Sequence, residues 1–458
     1  MIRFATKVVL LLVLLCPVLA FSQVKLTLED CIAMALESNL QLRQSGNSLS
    51  AEQVALTRSK FDFLPSAVAL FSGSRGFGRT VDNFTQAIAD SPTTMNGRLG
   101  VSLDLFRGFS KWNELRRAEN AVKAAQYSLE DLENDIRLNV ALAFFNATYA
   151  EDNLAVADGN LDLLEKQLER ARAMQEAGMN TQGDLFAVEA EIANAKAAVV
   201  SAQNNYDRSL LDLLLALNAD MTKTYTLVRP DLEGLVLADE MRSAESVYEY
   251  AQQNNPAVRE QQMRIIAANY ALKQSQSGFF PTLSLDYTAF TFFSSNARPL
   301  DSVLFTDDGF QQFFGPTTPF DDQVTSNFSH SLGLTLTIPL FSKYSVYQGV
   351  ANARLNYSNA QLNYDNAQNE LYRAVMQAHQ DAMAARAQYL ANVERAVSQQ
   401  KALEYAEQKY ESGVMDFYSL REFINNDTQA RVDRIRTQYD YVLKQKVLDL
   451  YEGKQLKF

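Results

Sequence analysis

Apolar residues recur along the chain with two different periods. Leu99, Val101, Leu103 and Leu105 alternate with Arg98, Gly100, Ser102 and Asp104, and Leu332, Leu334, Leu336, Ile338 and Leu340 alternate with Ser331, Gly333, Thr335, Thr337 and Pro339. Leu283, Leu285, Tyr287 and Ala289 keep the same period, and residues 66 to 75 keep it more weakly. Period two sends alternate side chains to opposite faces of a strand, so four strands are predicted. Elsewhere Leu115, Ala118, Val122, Ala125, Leu129, Leu132 and Ile136 step by three and four, as do Leu185, Val188, Ile192, Ala195, Val199, Ala202 and Tyr206. This is coiled-coil spacing. It predicts long helices over roughly 110 to 177 and 345 to 412, each on the order of 100 Å at about 1.5 Å per residue. Returning helices are predicted over about 182 to 217 and 416 to 450. Shorter helices are predicted over 28 to 62 and 243 to 278, the first capped by Thr27 with Glu29 and Asp30 in its first turn.

The pattern is written twice. Phe63-Leu-Pro65 answers Phe279-Phe-Pro281 at an offset of 216, while Leu105-Phe106 answers Leu340-Phe341, Gly178 answers Gly413 and Tyr206 answers Tyr441 at an offset of 235. The change of offset places an insertion in the second copy, in the stretch 296 to 323, as expected of a surface loop. The predicted organisation is a first repeat over 23–235, with a strand-connecting loop near 76–93 and a hairpin tip near 178. A second repeat follows over 236–458, with its loop near 294–327 and its tip near 413.

Arg3 and Lys7, an apolar run from Val8 to Leu15 and the small residues around Ala20 and Ser22 read as a secretory signal peptide over residues 1–22. Its removal takes Cys16 and leaves Cys31 as the one cysteine, so neither an internal disulfide framework nor a thiolate metal cluster is expected. His330 and His379 fall in unrelated segments, and no nucleophile with its base, metal set or phosphate loop is legible. No enzyme activity and no cofactor are therefore expected. The formal charge of -12 disfavours nucleic acid as a partner.

Beyond the signal no apolar run reaches the eighteen residues of a spanning helix, so contact with a membrane is expected through strands. About ten residues is the length a tilted strand needs to cross the bilayer core. Four strands cannot close a barrel, and an open edge in lipid leaves backbone groups unpaired, so copies of the chain must supply the remaining strands. On this reading Leu99, Val101, Leu103, Leu332, Leu334 and Leu336 face lipid, while Arg98, Asp104 and Asp286 face a wet lumen. The competing reading is a secreted coiled-coil structural or interaction protein whose strands form a small soluble cap.

The run Thr27-Leu-Glu-Asp-Cys31-Ile-Ala-Met-Ala-Leu with Asn39, the junctions Leu105-Phe106 and Leu340-Phe341, and the turns at Gly178 and Gly413, in duplicate and in this order, resemble the outer-membrane efflux protein (TolC) family. The resemblance covers nearly the whole mature chain. It implies a mainly α protein with a transmembrane β part: a TolC-like homotrimer whose shared 12-stranded β-barrel, four strands per protomer, continues into an α-helical barrel through the periplasm. The implied function is passive, gated export from a Gram-negative cell, as the outer-membrane duct of a tripartite efflux or type I secretion system. The implied partners are a periplasmic adaptor (membrane fusion protein) and an inner-membrane pump. In the family a tyrosine before the second turn is tied to an aspartate after the first, and Tyr410 and Asp184 stand at those positions. A basic residue of the family's clasp is replaced here by Met415. Of two lumen acids, one is replaced by Ser419 and the other corresponds to Glu422. The gate is thus assigned to Tyr410, Asp184 and Glu422, and adaptor docking to Gly178, Met179, Gly413, Val414 and Met415.

Overall fold

The computed structural model describes residues 24–82, 88–178, 181–229, 232, 243–306 and 309–454. The expected signal peptide lies outside them. The chain divides into two compact units: one takes residues up to 47, 126–260 and 365 onward, the other residues 48–125 and 261–364.

The second of these units holds a four-stranded antiparallel sheet of β2 (Ser66–Arg75), β5 (Thr93–Arg107), β7 (Thr282–Ser294) and β10 (Ser329–Thr337), in the order β10-β7-β5-β2. The loops between its strands carry two small hairpins, β3 (Arg79–Val81) with β4 (Ile88–Asp90), and β8 (Leu300–Thr306) with β9 (Gly309–Phe314). The last strand stops at Thr337, earlier than the alternation through Leu340 suggested. Pro339 has no N–H to give a ladder, and so cannot continue it. A register shift between Asp104 and Phe106 drops Leu105 from its alternation.

The longer loop of the second repeat ends in a helix of about two turns, α7 (Phe320–Ser326), laid along the end of β7. Gln323, nearly buried, accepts from the Ser294 N–H at 2.9 Å and donates to the Ser294 carbonyl at 2.9 Å, while Asn327 donates to the Phe292 carbonyl at 2.9 Å. β10 begins opposite Phe290, so side-chain amides take over where the neighbouring strand is missing.

Two helices of 67 residues follow the strand pairs, α3 (Ser110–Glu176) and α8 (Ser345–Glu411), and two of 35 residues return, α4 (Gln182–Ala216) and α9 (Phe417–Tyr451). Each strand-to-helix junction bends through two left-handed residues: Gly108 and Phe109 at φ 57° and 65°, and Lys343 and Tyr344 at 48° and 69°. Gly108 is compelled by contact as well, since a Cβ there would stand 2.5 Å from the Ser277 carbonyl oxygen and 2.8 Å from Phe280 Cβ.

The short helices expected to run unbroken from 28 and from 243 are each split by an asparagine. The first is α1 (Leu28–Ser38) and α2 (Leu40–Phe61), and the second is α5 (Ala244–Asn254) and α6 (Pro256–Gln276). Asn39 and Asn255 are extended, at ψ 123° and 126°. Their side-chain oxygens accept from Leu42 N–H at 3.0 Å and Val258 N–H at 3.3 Å, capping the second helix of each pair. At both corners an arginine reaches back to a backbone carbonyl, Arg43 to Glu37 at 3.1 Å and Arg259 to Gln253 at 2.7 Å. The two corners sit at the 216-residue offset of the sequence repeat.

The first unit packs its principal core from Leu28, Cys31, Ala35, Val140, Phe144 and Leu213, among others, with Tyr225 and Tyr439. A parallel pair of β1 (Val24–Leu26) and β6 (Tyr225–Leu227) joins the stretch before α1 to the stretch after α4.

Candidate functional site

At the first tip α3 ends in Gly178, whose φ of 73° turns the chain while its N–H donates to the Gln175 carbonyl at 2.9 Å. α4 then starts from a capping box. Asp184 N–H donates to Thr181 Oγ1 at 3.3 Å, and Thr181 returns its N–H at 3.0 Å and its hydroxyl at 2.7 Å to Asp184 Oδ2. At the second tip Gly413, at φ 74°, donates to Tyr410 O at 3.0 Å, and Val414 N–H reaches Lys409 O at 3.0 Å. This pair of bonds is the Schellman arrangement, which satisfies the last carbonyls of α8. Asp416 caps α9 by accepting from Ser419 N–H at 2.9 Å, and the same Ser419 holds its carboxyl below the usual range.

Behind the tips lies a second core cluster that includes Leu164, Val188, Ile192, Tyr410, Phe417, Leu420 and Ile424. Tyr410 is 1 % exposed and meets the ring of Phe417 edge-on at 6.2 Å. Of the residues assigned to the gate, Tyr410 therefore lies inside this core, Asp184 closes a helix cap and Glu422 is exposed on α9. Of the docking residues, Val414 is exposed and Met415 is half-buried against the core, with Gly178 and Gly413 at the turns themselves. Met179 lies outside the described residues.

The sequence reading missed Phe417, although Phe417, Leu420 and Ile424 step by three and four. It also missed ion pairs that tie the helices of the tips together, among them Arg170 with Glu411 at 2.6 Å, Arg172 with Glu189 at 3.5 Å and Arg421 with Glu191 at 3.6 Å. Partners so far apart in sequence leave no local signal.

In the sheet, residues opposite one another share a face. Val101 pairs with Tyr287 and Tyr287 with Leu332; Leu103 pairs with Leu285 and Leu285 with Leu334; Leu283 pairs with Leu336. Leu99 joins them through Ala289. The opposite face carries Arg98, Ser102, Asp104, Ser284 and Asp286, with Ser102 and Ser284 donating to Asp286 at 2.7 and 2.8 Å. The six residues expected to face lipid thus lie on one face and the three expected to face water on the other. The polar face also bears Leu70 and Phe290 beside Arg98. β2 and β10, the two edges, are exposed along their whole lengths.

Within the first repeat Arg229 pairs with Glu151 at 3.4 Å and Asp152 at 3.0 Å, and Tyr439 of the second donates to Asp152 at 2.7 Å. Burial and the Asp152 carboxylate push the Tyr439 hydroxyl up. A cavity of about 900 Å³ in the same unit is lined by Glu29, Glu130, Asp131, Asp135 and Glu370, with Arg137 and Lys454. Burial first, then the neighbouring carboxylates Asp135, Glu260 and Glu130, push Asp131 up to about 6. Burial pushes the Cys31 thiol up to about 12, so it stays protonated and inert.

A sheet with one leucine-rich face and one polar face, feeding helices far longer than a globular domain needs, is the architecture of an outer-membrane channel with a periplasmic helical part. The outer membrane efflux protein family model matches residues 31–219 and 247–453, and the chain belongs to that family. It is 23% identical over 426 residues to the outer membrane efflux protein BepC of Brucella suis, covering 91% of this chain and 83% of BepC. It is 22% identical over 422 residues to the outer membrane protein TolC of Escherichia coli, covering 89% of this chain and 78% of TolC. Among solved structures, CusC superposes with a TM-score of 0.77 at 16% identity, over 93% of this chain and 92% of CusC. The outer membrane protein VceC of Vibrio cholerae superposes at 0.75 and 14% identity, over 94% of this chain and 97% of VceC. The fold is thus TolC-like, as the sequence implied, and the family is one of channels, not enzymes. The chain is an outer-membrane protein of the Gram-negative type, with its helical part in the periplasm.

Proposed function

We propose that three copies of this chain form the gated, passive exit duct of a tripartite efflux or type I secretion system. The observation that carries the reading is the four-stranded sheet, open at both edges and leucine-lined on one face. In lipid an open edge costs several kcal/mol for each unpaired backbone group, so the edges of β2 and β10 must meet those of neighbouring copies. Twelve strands then close the barrel, with Leu99, Val101, Leu103, Leu332, Leu334 and Leu336 outward. The mature chain consists of the two repeats 23–235 and 236–458, freed from a signal peptide at 1–22.

The turns at Gly178 and Gly413, with Met179, Val414 and Met415, dock a periplasmic adaptor attached to an inner-membrane pump. Energy comes from that pump, and no chemistry is done on the exported cargo. Tyr410, Asp184 and Glu422 set the gate. An adaptor opens it by binding the open arrangement better than the closed one, because only differential affinity shifts such an equilibrium.

Conductance in a planar bilayer tests this reading. Wild-type protein should give small cation-selective currents, and Tyr410→Ala, which empties the centre of the tip core, should raise them several-fold. A protein that inserts without conducting, or a variant with unchanged current, would count against the gate.

A further inference from the structure

The apolar core behind the tips contains one residue that does not suit it. Gln167 follows Leu164 by three residues and precedes Ala171 by four, so it faces the seam that both of these buried residues line, and it is 0 % exposed. Its amide Nε2 donates to Glu407 Oε1 across a long 3.4 Å, while its Oε1 has no partner among the described residues. Glu407 stands on α8 between Leu403 and Tyr410, one turn behind the tyrosine assigned to the gate. A buried amide needs both a donor and an acceptor opposite it. A carboxylate only accepts, whereas a protonated carboxyl accepts with one oxygen and donates with the other. Glu407 can therefore serve the amide oxygen only in its acid form.

We propose that Gln167 and Glu407 form a proton-operated latch between α3 and α8: with a proton on Glu407 the two side chains close a reciprocal amide–acid pair and hold the tips shut. The proton comes from bulk water, and no other bond is made or broken. Losing it leaves two acceptors facing each other and favours an arrangement in which the carboxylate is hydrated.

The charges around Glu407 agree with this direction. Burial, the leading cause, pushes its carboxyl up, and Glu411 and Glu404 of the same helix add to the rise; Arg170 of α3 and the Gln167 bond oppose it. Arg170 is already engaged by Glu411. The tip cluster presents apolar side chains from α4 and α9, and there Glu189, Glu191, Lys196 and Arg421 are held in ion pairs with Arg172, Arg421, Glu165 and Glu191. The sign follows. A carboxyl whose pKa is raised in the packed arrangement binds more protons there, so the shut form gains as pH falls through that pKa.

The latch rests on the duct reading, and two measurements on the mature protein in detergent or bilayer separate them. Infrared difference spectra on acidification should show a protonated-carboxyl C=O band that titrates above the range of a solvated glutamate and is missing in Glu407→Gln. Gln167→Glu, which sets two carboxyls to share one proton, should move the midpoint further up. In planar bilayers the wild-type current should fall on acidification, about tenfold in the open-to-shut ratio for each unit by which opening lowers the pKa. Glu407→Gln, permanently able to pair, should give low current at every pH. A band and a current that titrate alike in wild type and Glu407→Gln would overturn the latch. The predicted band with no current in any variant would retain the protonated pair and sink the duct reading alone.

Discussion

The two repeats reach the same backbone with different residues. At the strand-to-helix junction the first uses Gly108 and Phe109 and the second Lys343 and Tyr344, all four left-handed. At the helix tips the first starts its returning helix from Thr181 with a reciprocal capping box, and the second from Asp416 with a single cap. Among the described residues of the strand-connecting loops, only the second repeat lays a helix, along the end of β7. A bend, a cap and a closed strand end are requirements of the fold; the residue that meets each one is free to change. Where the partner is close, as at Gly108 under the Ser277 carbonyl, the choice is no longer free.

The largest effect should come from the two faces of the sheet. Leu334→Arg, on the face assigned to lipid, should cost about 2–4 kcal/mol of folding stability in bilayers, while Thr335→Lys on the opposite face should be near neutral. Urea unfolding in vesicles reads both, and equal costs would mean that the faces are wrongly assigned. The junctions come next. Gly108→Ala should destabilise by about 2–3 kcal/mol, through contact and left-handed strain together, whereas Lys343→Gly should stabilise by about 1 kcal/mol. Matching signs in thermal unfolding would deny that the two bends are equivalent backbone met by different residues. The caps are the finest test: Thr181→Ala should cost about 1 kcal/mol, and Asp416→Ala should destabilise in the same direction. The Asp416 contribution should fade at acid pH, because a carboxyl held below its usual range by the cap stabilises only while ionised and is lost as pH falls through its depressed pKa.

Much of this architecture was legible because period two and coiled-coil spacing are local signals, and the internal repeat confirmed each reading with a second copy. The long helices, the four strands and the glycine turns all rest on such patterns. The breaks at Asn39 and Asn255 were not read, since an asparagine within a helical pattern is as often a surface residue as a cap. Pro256 marked the second break, because a residue before proline avoids the helical region. The candidate site was less legible still. Tyr410 and Asp184 were singled out only by resemblance, and the burial of Gln167 against Glu407 joins positions 240 residues apart, which no local pattern reports.

The central claim is that one chain contributes a third of a barrel. The most direct test is the mass of the mature protein extracted from membranes, by light scattering coupled to gel filtration in detergent. The account predicts three copies per particle and aggregation when detergent is withdrawn. A monomer or dimer that stays dispersed in water would contradict it and leave the secreted coiled coil standing.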